Sequence, residues 1–271
     1  MDWLWSWLRA HYFLSSRDCS NAIREFKELD AASNIASNVT LLSALGKAYY
    51  AAGENMMAIT ALQRVHSLDP LHLDGVEILA ALLCDEGMSS ELESLANRLM
   101  QSIDLQNNAS CINQPQPWIV LGYWCKSTGK LSRSLYFAHK ACETGVRPSE
   151  DALLLKGRIL MDSSKMVEAT FHFREAWAIA PQRFEVYQAL VDVYTARFEN
   201  KQAEASAACC VKKLGKSARA VALYASVLAR YPSTLDKAQT LLEKVVNSAP
   251  HLLSAVYQLV DIYTKRGYFE K

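Results

Sequence analysis

Small or compact apolar residues return at a fixed interval along the chain, inside stretches patterned for helices with one buried face. Ala10, Gly46, Ala80, Gly122, Gly157, Val191, Ala225 and Val260 form one series, answered by Ala22, Ala58, Leu92, Ser134, Ala169, Ala203 and Ala238. The two members of a pair stand twelve residues apart, except Ala225 and Ala238 at thirteen, and the pairs repeat mostly every 34 or 35 residues. In the cleanest unit Leu45, Gly46 and Tyr49 mark a first helix, Gly53 a turn, and Ala58, Leu62 and Val65 a second helix. Asp69-Pro70 then ends that helix, because the residue before a proline is disfavoured in helical geometry. Gly46 and Ala58 are expected to face each other where the helices cross, small side chains letting the backbones approach.

A repeat of this length made of two helices is the signature of a tetratricopeptide array. The predicted fold is all-α, a right-handed superhelical solenoid of antiparallel helix pairs in which each pair stacks on its neighbours. The same pattern recurs in the fourth unit (Trp118, Gly122, Gly129, Ala138), the fifth (Gly157, Ala169, Phe173, Pro181), the sixth (Tyr187, Tyr194, Ala203) and the seventh (Ala225, Ala238, Pro250). Weaker forms appear around Phe13 and Phe26 and around Leu79 and Gly87. Seven pairs are expected, followed by the first helix of an eighth, marked by Val256, Leu259, Val260 and Tyr263. A solenoid core grows with each added unit, so one domain is expected across residues 1–271.

Two irregularities stand out. Residues 101–117 run through Asn, Gln, Ser and Pro and stretch one marker interval to 42 residues, so an exposed inter-repeat loop is expected there. The thirteen-residue spacing of the seventh pair predicts one extra turn residue around Tyr231-Pro232-Ser233.

Composition narrows the function. With 29 basic and 28 acidic residues and no block of like charge, the chain offers no nucleic-acid footprint. Seven cysteines without a Cys-x-x-Cys pair read as reduced and intracellular, and the Asn-x-Ser/Thr tripeptides at Asn38 and Asn108 would matter only in a secreted chain. The apolar start, Asp2-Trp3-Leu4-Trp5, meets Arg9 and no small-residue cleavage site, so it reads as the first helix and not as a signal peptide. No stretch reaches the roughly 18 apolar residues of a membrane span.

Reactive residues assemble no site. Gly215-Lys216-Ser217 copies the end of a phosphate-binding loop, but Cys210 stands where its first glycine is required. His139 and Cys142 share a helix face without the further ligands a closed zinc site needs, and Cys209-Cys210 point about 100° apart on a helix. The other histidines, at 11, 66, 72, 172 and 251, are scattered. The expectation is no catalytic residue, no metal and no cofactor. The aromatic residues Trp3, Trp7, Tyr49, Trp118, Trp124, Phe173 and Trp177 sit at repeat-core spacing and are expected to pack.

A binding surface is the remaining candidate. First helices line the concave face of such an array, so the residue after each small marker and its neighbours one turn away point inward. The candidate groove contacts are Lys47, Tyr50, Tyr123, Lys126, Arg158 and Asp192, with His11, Ala81, Ser43 and Glu77 beside them. They form no cationic cluster able to grip a free C-terminal carboxylate, which disfavours the alternative of a free-standing peptide-binding adaptor or co-chaperone.

Several segments carry a more particular resemblance. Asp2-Trp3-Leu4 with Trp7, Ala22-Ile23, Asp69-Pro70-Leu71, Pro117-Trp118-Ile119-Val120, Ala152-Leu153-Leu154-Leu155-Lys156-Gly157, Glu168-Ala169 with His172-Phe173-Arg174-Glu175-Ala176, and Lys237-Ala238-Gln239-Thr240-Leu241-Leu242 occur in that order. In this the chain resembles the subunit 7 family of the anaphase-promoting complex, or cyclosome. The resemblance implies a non-catalytic scaffold in a cell-cycle ubiquitin ligase, in nucleus and cytoplasm, contacting other tetratricopeptide subunits and lying near docking coactivator tails. Against the family pattern the chain lacks an upstream set of repeats, through which members form homodimers, and a final repeat with an acidic tail. The expectation is therefore a fragment, or a chain that relies on a partner.

Overall fold

The computed structural model describes all residues except 1, 32–37, 107–113, 146, 216 and 268–271, together with the side chains of all of these but 2 and 102–106. Among the described residues there are fifteen α-helices and no strand. They are α1 (Asp2–Ser15), α2 (Cys19–Ala31), α3 (Val39–Ala52), α4 (Asn55–Leu68), α5 (Val76–Asp85), α6 (Ser89–Gln106), α7 (Pro115–Ser127) and α8 (Leu131–Glu143). After them come α9 (Glu150–Asp162), α10 (Met166–Ile179), α11 (Phe184–Ala196), α12 (Asn200–Lys213), α13 (Ala218–Leu228), α14 (Leu235–Ser248) and α15 (Leu253–Lys265). None of the described helices is long and apolar enough to cross a membrane.

The helices gather into two compact units, Met1–Ile159 and Leu160–Lys271. In the first, α1 packs on α2, α3 on α4, α5 on α6 and α7 on α8, while α2 on α3 and α4 and α7 on α5 join the pairs. One apolar cluster threads it from Ala10 to Ile159. In the second unit α10 packs on α11, α11 on α12, α13 on α14 and α15 on α14. Its core includes a cluster of Tyr187, Cys210, Leu214 and Ala220 and another from Ala222 to Ile262.

All fourteen answered markers are buried, whereas Val260, the unanswered one, is 52% exposed. The contact they make differs from simple face-to-face pairing. A β-carbon at Gly46 would come 2.7 Å from Leu62, one turn beyond Ala58, and one at Gly122 would come 2.5 Å from Leu155 on α9, in the next pair. Ser134 does answer Gly122 directly, its Oγ donating to the Gly122 carbonyl at 2.7 Å. Glycine thus admits a leucine at each of these crossings.

Turn chemistry repeats with the markers. Seven residues after every first-helix marker but Ala225 the backbone enters the left-handed region, at Arg17, Gly53, Gly87, Gly129, Ser164, Phe198 and Gly267. At Gly53 the amide donates to the carbonyls of Tyr49 and Tyr50, closing α3. Pro232 occupies that register position in the seventh pair and cannot adopt it, and a short 3-10 turn, Pro232–Thr234, takes up the extra residue.

Three expectations need correction. Residues 101–106 continue α6, and Pro115 opens α7, so the irregular segment is narrower than 101–117; its centre, 107–113, lies outside the described residues. Proline at the first helical position has no amide to leave unbonded, which is why this polar, proline-bearing stretch starts a helix early. Trp3 and Trp177 are exposed where packing was expected. Trp177 follows buried Ala176 and is turned about 100° off the packed stripe.

Candidate functional site

In the first unit the first helices α3, α7 and α9 carry the candidate groove residues Lys47, Tyr50, Tyr123, Lys126 and Arg158. Asp192 lies on α11 in the second unit and is exposed. Two of the three basic candidates, Lys47 and Arg158, are already engaged in ion pairs. The Lys47 ammonium donates to Asp74, whose other oxygen accepts from Ser43 Oγ at 2.8 Å. Burial pushes the Asp74 carboxyl up, but the hydrogen bonds from Lys47 and Ser43 outweigh it and hold the group below its ordinary range. Arg158 Nη1 lies 3.3 Å from Asp85 Oδ2, at the end of α5. Tyr123 is only 4% exposed. Burial pushes its phenol well up, so it stays neutral and serves as floor between these charges. Tyr50 and Lys126 are half-buried.

The acids Asp74, Glu77, Asp85 and Asp151 are the site residues that repeat spacing did not single out as a group. Asp74 sits in the turn before Gly75, whose φ of 88° opens α5, off the helical marker grid. A carboxyl in that turn beside a groove lysine one repeat earlier was the available signal. Glu77 Oε2 is buried without a hydrogen-bond partner. Burial first, then the Asp151 carboxylate and to a lesser extent Asp74, push Glu77 up to about 7, with its own backbone amide and Lys47 opposing. His11 extends the row: burial and the Lys47 charge push its imidazole down, and its ring stacks edge-on to Trp7 and Phe26.

A pH dependence follows. An acid raised in the folded state binds protons on folding, so Glu77 contributes fully below its ordinary value of 4.5, and that contribution is lost as pH rises through about 7. Glu77→Gln is expected to gain about 2 kcal/mol on the native chain between about pH 5 and about pH 8. Urea unfolding at the two pH values measures it, and a pH-independent difference would sink the assignment.

The reactive motifs resolve into structure. Ser217 caps α13, its Oγ accepting from the Ala220 amide, and Gly215 lies in the preceding turn, with Lys216 outside the described residues. Asn38 caps α3 by accepting from the amides of Thr40 and Leu41, while Asn108 lies outside the described residues. Among the described residues no three His, Cys, Asp or Glu side chains are grouped to hold an ion.

A tetratricopeptide-repeat family model matches residues 207–234. The crystal structure of yeast Tom70 matches in fold with a TM-score of 0.57 at 15% identity, covering 92% of this chain and 52% of that one. The chain has the fold of a tetratricopeptide-repeat array. It is similar along its whole length to anaphase-promoting complex subunit 7. The human and mouse proteins of that name are each 32% identical over 270 residues, and the Arabidopsis thaliana one is 26% identical over 266. The chain spans about half the length of these relatives, 46% of the human protein.

Proposed function

We propose that this chain is a non-catalytic scaffold segment of the anaphase-promoting complex, a cell-cycle ubiquitin ligase, and that its first-helix face contacts neighbouring tetratricopeptide subunits or a coactivator tail. The observation that carries the reading is the similarity of the whole chain to about half of subunit 7 in human, mouse and Arabidopsis thaliana. The reading places the chain inside the cell, in nucleus and cytoplasm, with residues 1–271 acting as one repeat array and self-association supplied by a region outside it.

The engaged charges suit such a role better than capture of free tails. Lys47 and Arg158 each meet a carboxylate of the same chain, so the face presents compensated pairs and not a bare cationic clamp. A folded neighbour with alternating charge matches it.

Tagged full-length protein purified from cells is expected to bring down the subunits of that ligase, identified by mass spectrometry. Recovery of chaperones without ligase subunits would overturn the reading. Combined Lys47→Glu and Arg158→Glu is expected to cut subunit recovery about fivefold. Unchanged recovery would leave the scaffold reading in place and discard these residues as contacts.

A further inference from the structure

Glycine stands at four of the left-handed turn positions, Gly53, Gly87, Gly129 and Gly267, and Arg17, Ser164 and Phe198 stand at the other three; of these Phe198, at φ 60°, is the large apolar one. Its side chain is 87% exposed. A β-carbon at positive φ costs backbone energy and an exposed phenyl ring forgoes burial, so the fold gains from this residue on neither count. Two further large apolar side chains in this unit are exposed as well. Val167 and Phe171, four residues apart on one face of α10, are 70% and 60% exposed.

A cleft of about 360 Å³ opens between that face and the turn carrying Phe198. Arg174, Arg197 and Glu199 all line it, and the two arginines differ. Arg197 is held by Glu199 at 2.6 Å and donates to Thr170 Oγ1 at 3.0 Å. Arg174 donates through Nε to the Tyr194 hydroxyl at 3.0 Å, with its guanidinium 5.8 Å from the centre of that ring. This orients the Arg174 head group at the cleft without neutralising it, because no carboxylate among the described residues lies within ion-pair distance of it.

We propose that this face docks an apolar segment of a partner chain that also carries a carboxylate. Aliphatic or aromatic side chains enter the cleft beside Val167 and Phe171 and reach over the exposed Phe198 of the adjoining turn, and the carboxylate pairs with Arg174. Charge complementarity selects this occupant: an uncompensated guanidinium beside apolar surface favours an acid and repels a base. The face uses α10 and the turn before α12, not the first-helix positions of the candidate groove, and it stands whether or not the chain belongs to the ligase.

The test uses the full chain and three fluorescein-labelled peptides of one design, Leu-Phe-Glu-Leu-Leu-Glu and its glutamine and lysine counterparts, measured by fluorescence anisotropy. The acidic peptide is expected to bind about tenfold tighter than the glutamine peptide, and the lysine peptide weakest. Phe171→Ser should cost the acidic peptide about tenfold, and Arg174→Glu should reverse the order of the acidic and lysine peptides. Phe198→Gly relieves the backbone and should raise the thermal midpoint while losing the peptide, a pairing that a purely structural residue would not give. Equal binding of the three peptides, no binding, or an Arg174→Glu protein that still prefers acid would each overturn the proposal. So would self-association of the native chain in sedimentation that Phe198→Gly abolishes, since the face would then join two copies.

Discussion

Tyr187→Ala is expected to lower the stability of the second unit by about 4 kcal/mol, the usual range for emptying a fully buried aromatic site. Tyr187 is 1% exposed and is the largest of the fully buried side chains. It packs with Cys210, Leu214 and Ala220, and so ties α11 to the end of α12 and the start of α13. Its hydroxyl donates to the Pro181 carbonyl at 2.8 Å, fixing the connection from α10. Tyr187→Phe keeps the ring and removes this bond together with the hydroxyl's side-chain hydrogen bonds with Trp177 and Cys209, and should cost about 1 kcal/mol. Repeat arrays open in parts, so amide exchange is the direct readout. Protection in α11 to α13 should fall about a thousandfold in Tyr187→Ala and about fivefold in Tyr187→Phe. Similar losses in the two variants would mean that the ring contributes little beyond its hydroxyl.

Tyr187 belongs to the part of the fold that spacing reveals. Small markers at helix crossings and the turn position seven residues on are local constraints, repeated often enough to identify every helix pair. What lies between pairs is less local. Whether Lys47 meets a partner or Asp74 depends on how one pair stacks on the next, and no interval within a repeat encodes that distance. The same holds for Gly122, whose closest neighbour, Leu155, belongs to the following pair. The stretch around 101–117 reads as loop because its composition is polar, yet α6 continues to Gln106. Phe198 carries no local flag at all: an aromatic residue near a helix end looks like packing until the sign of φ is known.

The crossing glycines allow the second large prediction, which tests close approach in the first unit. Gly46→Val is expected to cost about 3 kcal/mol, toward the upper end for overpacking a core. A β-carbon there would lie 2.7 Å from both Cγ and Cδ2 of Leu62, which is fully buried on α4. Cγ is one bond from the root of the side chain, so no rotation of the tip relieves the clash; the leucine, and with it α4, must move. Alanine at this position would recover about 1 kcal/mol of helix propensity and blur the result, whereas valine adds bulk without that gain. Leu62→Ala alone is expected to cost about 3 kcal/mol through the cavity it leaves. In that background the valine enters space the leucine has vacated, so the double variant should be about 2 kcal/mol more stable than the sum of the single losses predicts. Urea unfolding of all four proteins measures the coupling. Additivity within about 0.5 kcal/mol would show that Gly46 is not where the two helices press together, and the marker series would then reflect helix propensity and turn register instead of backbone contact.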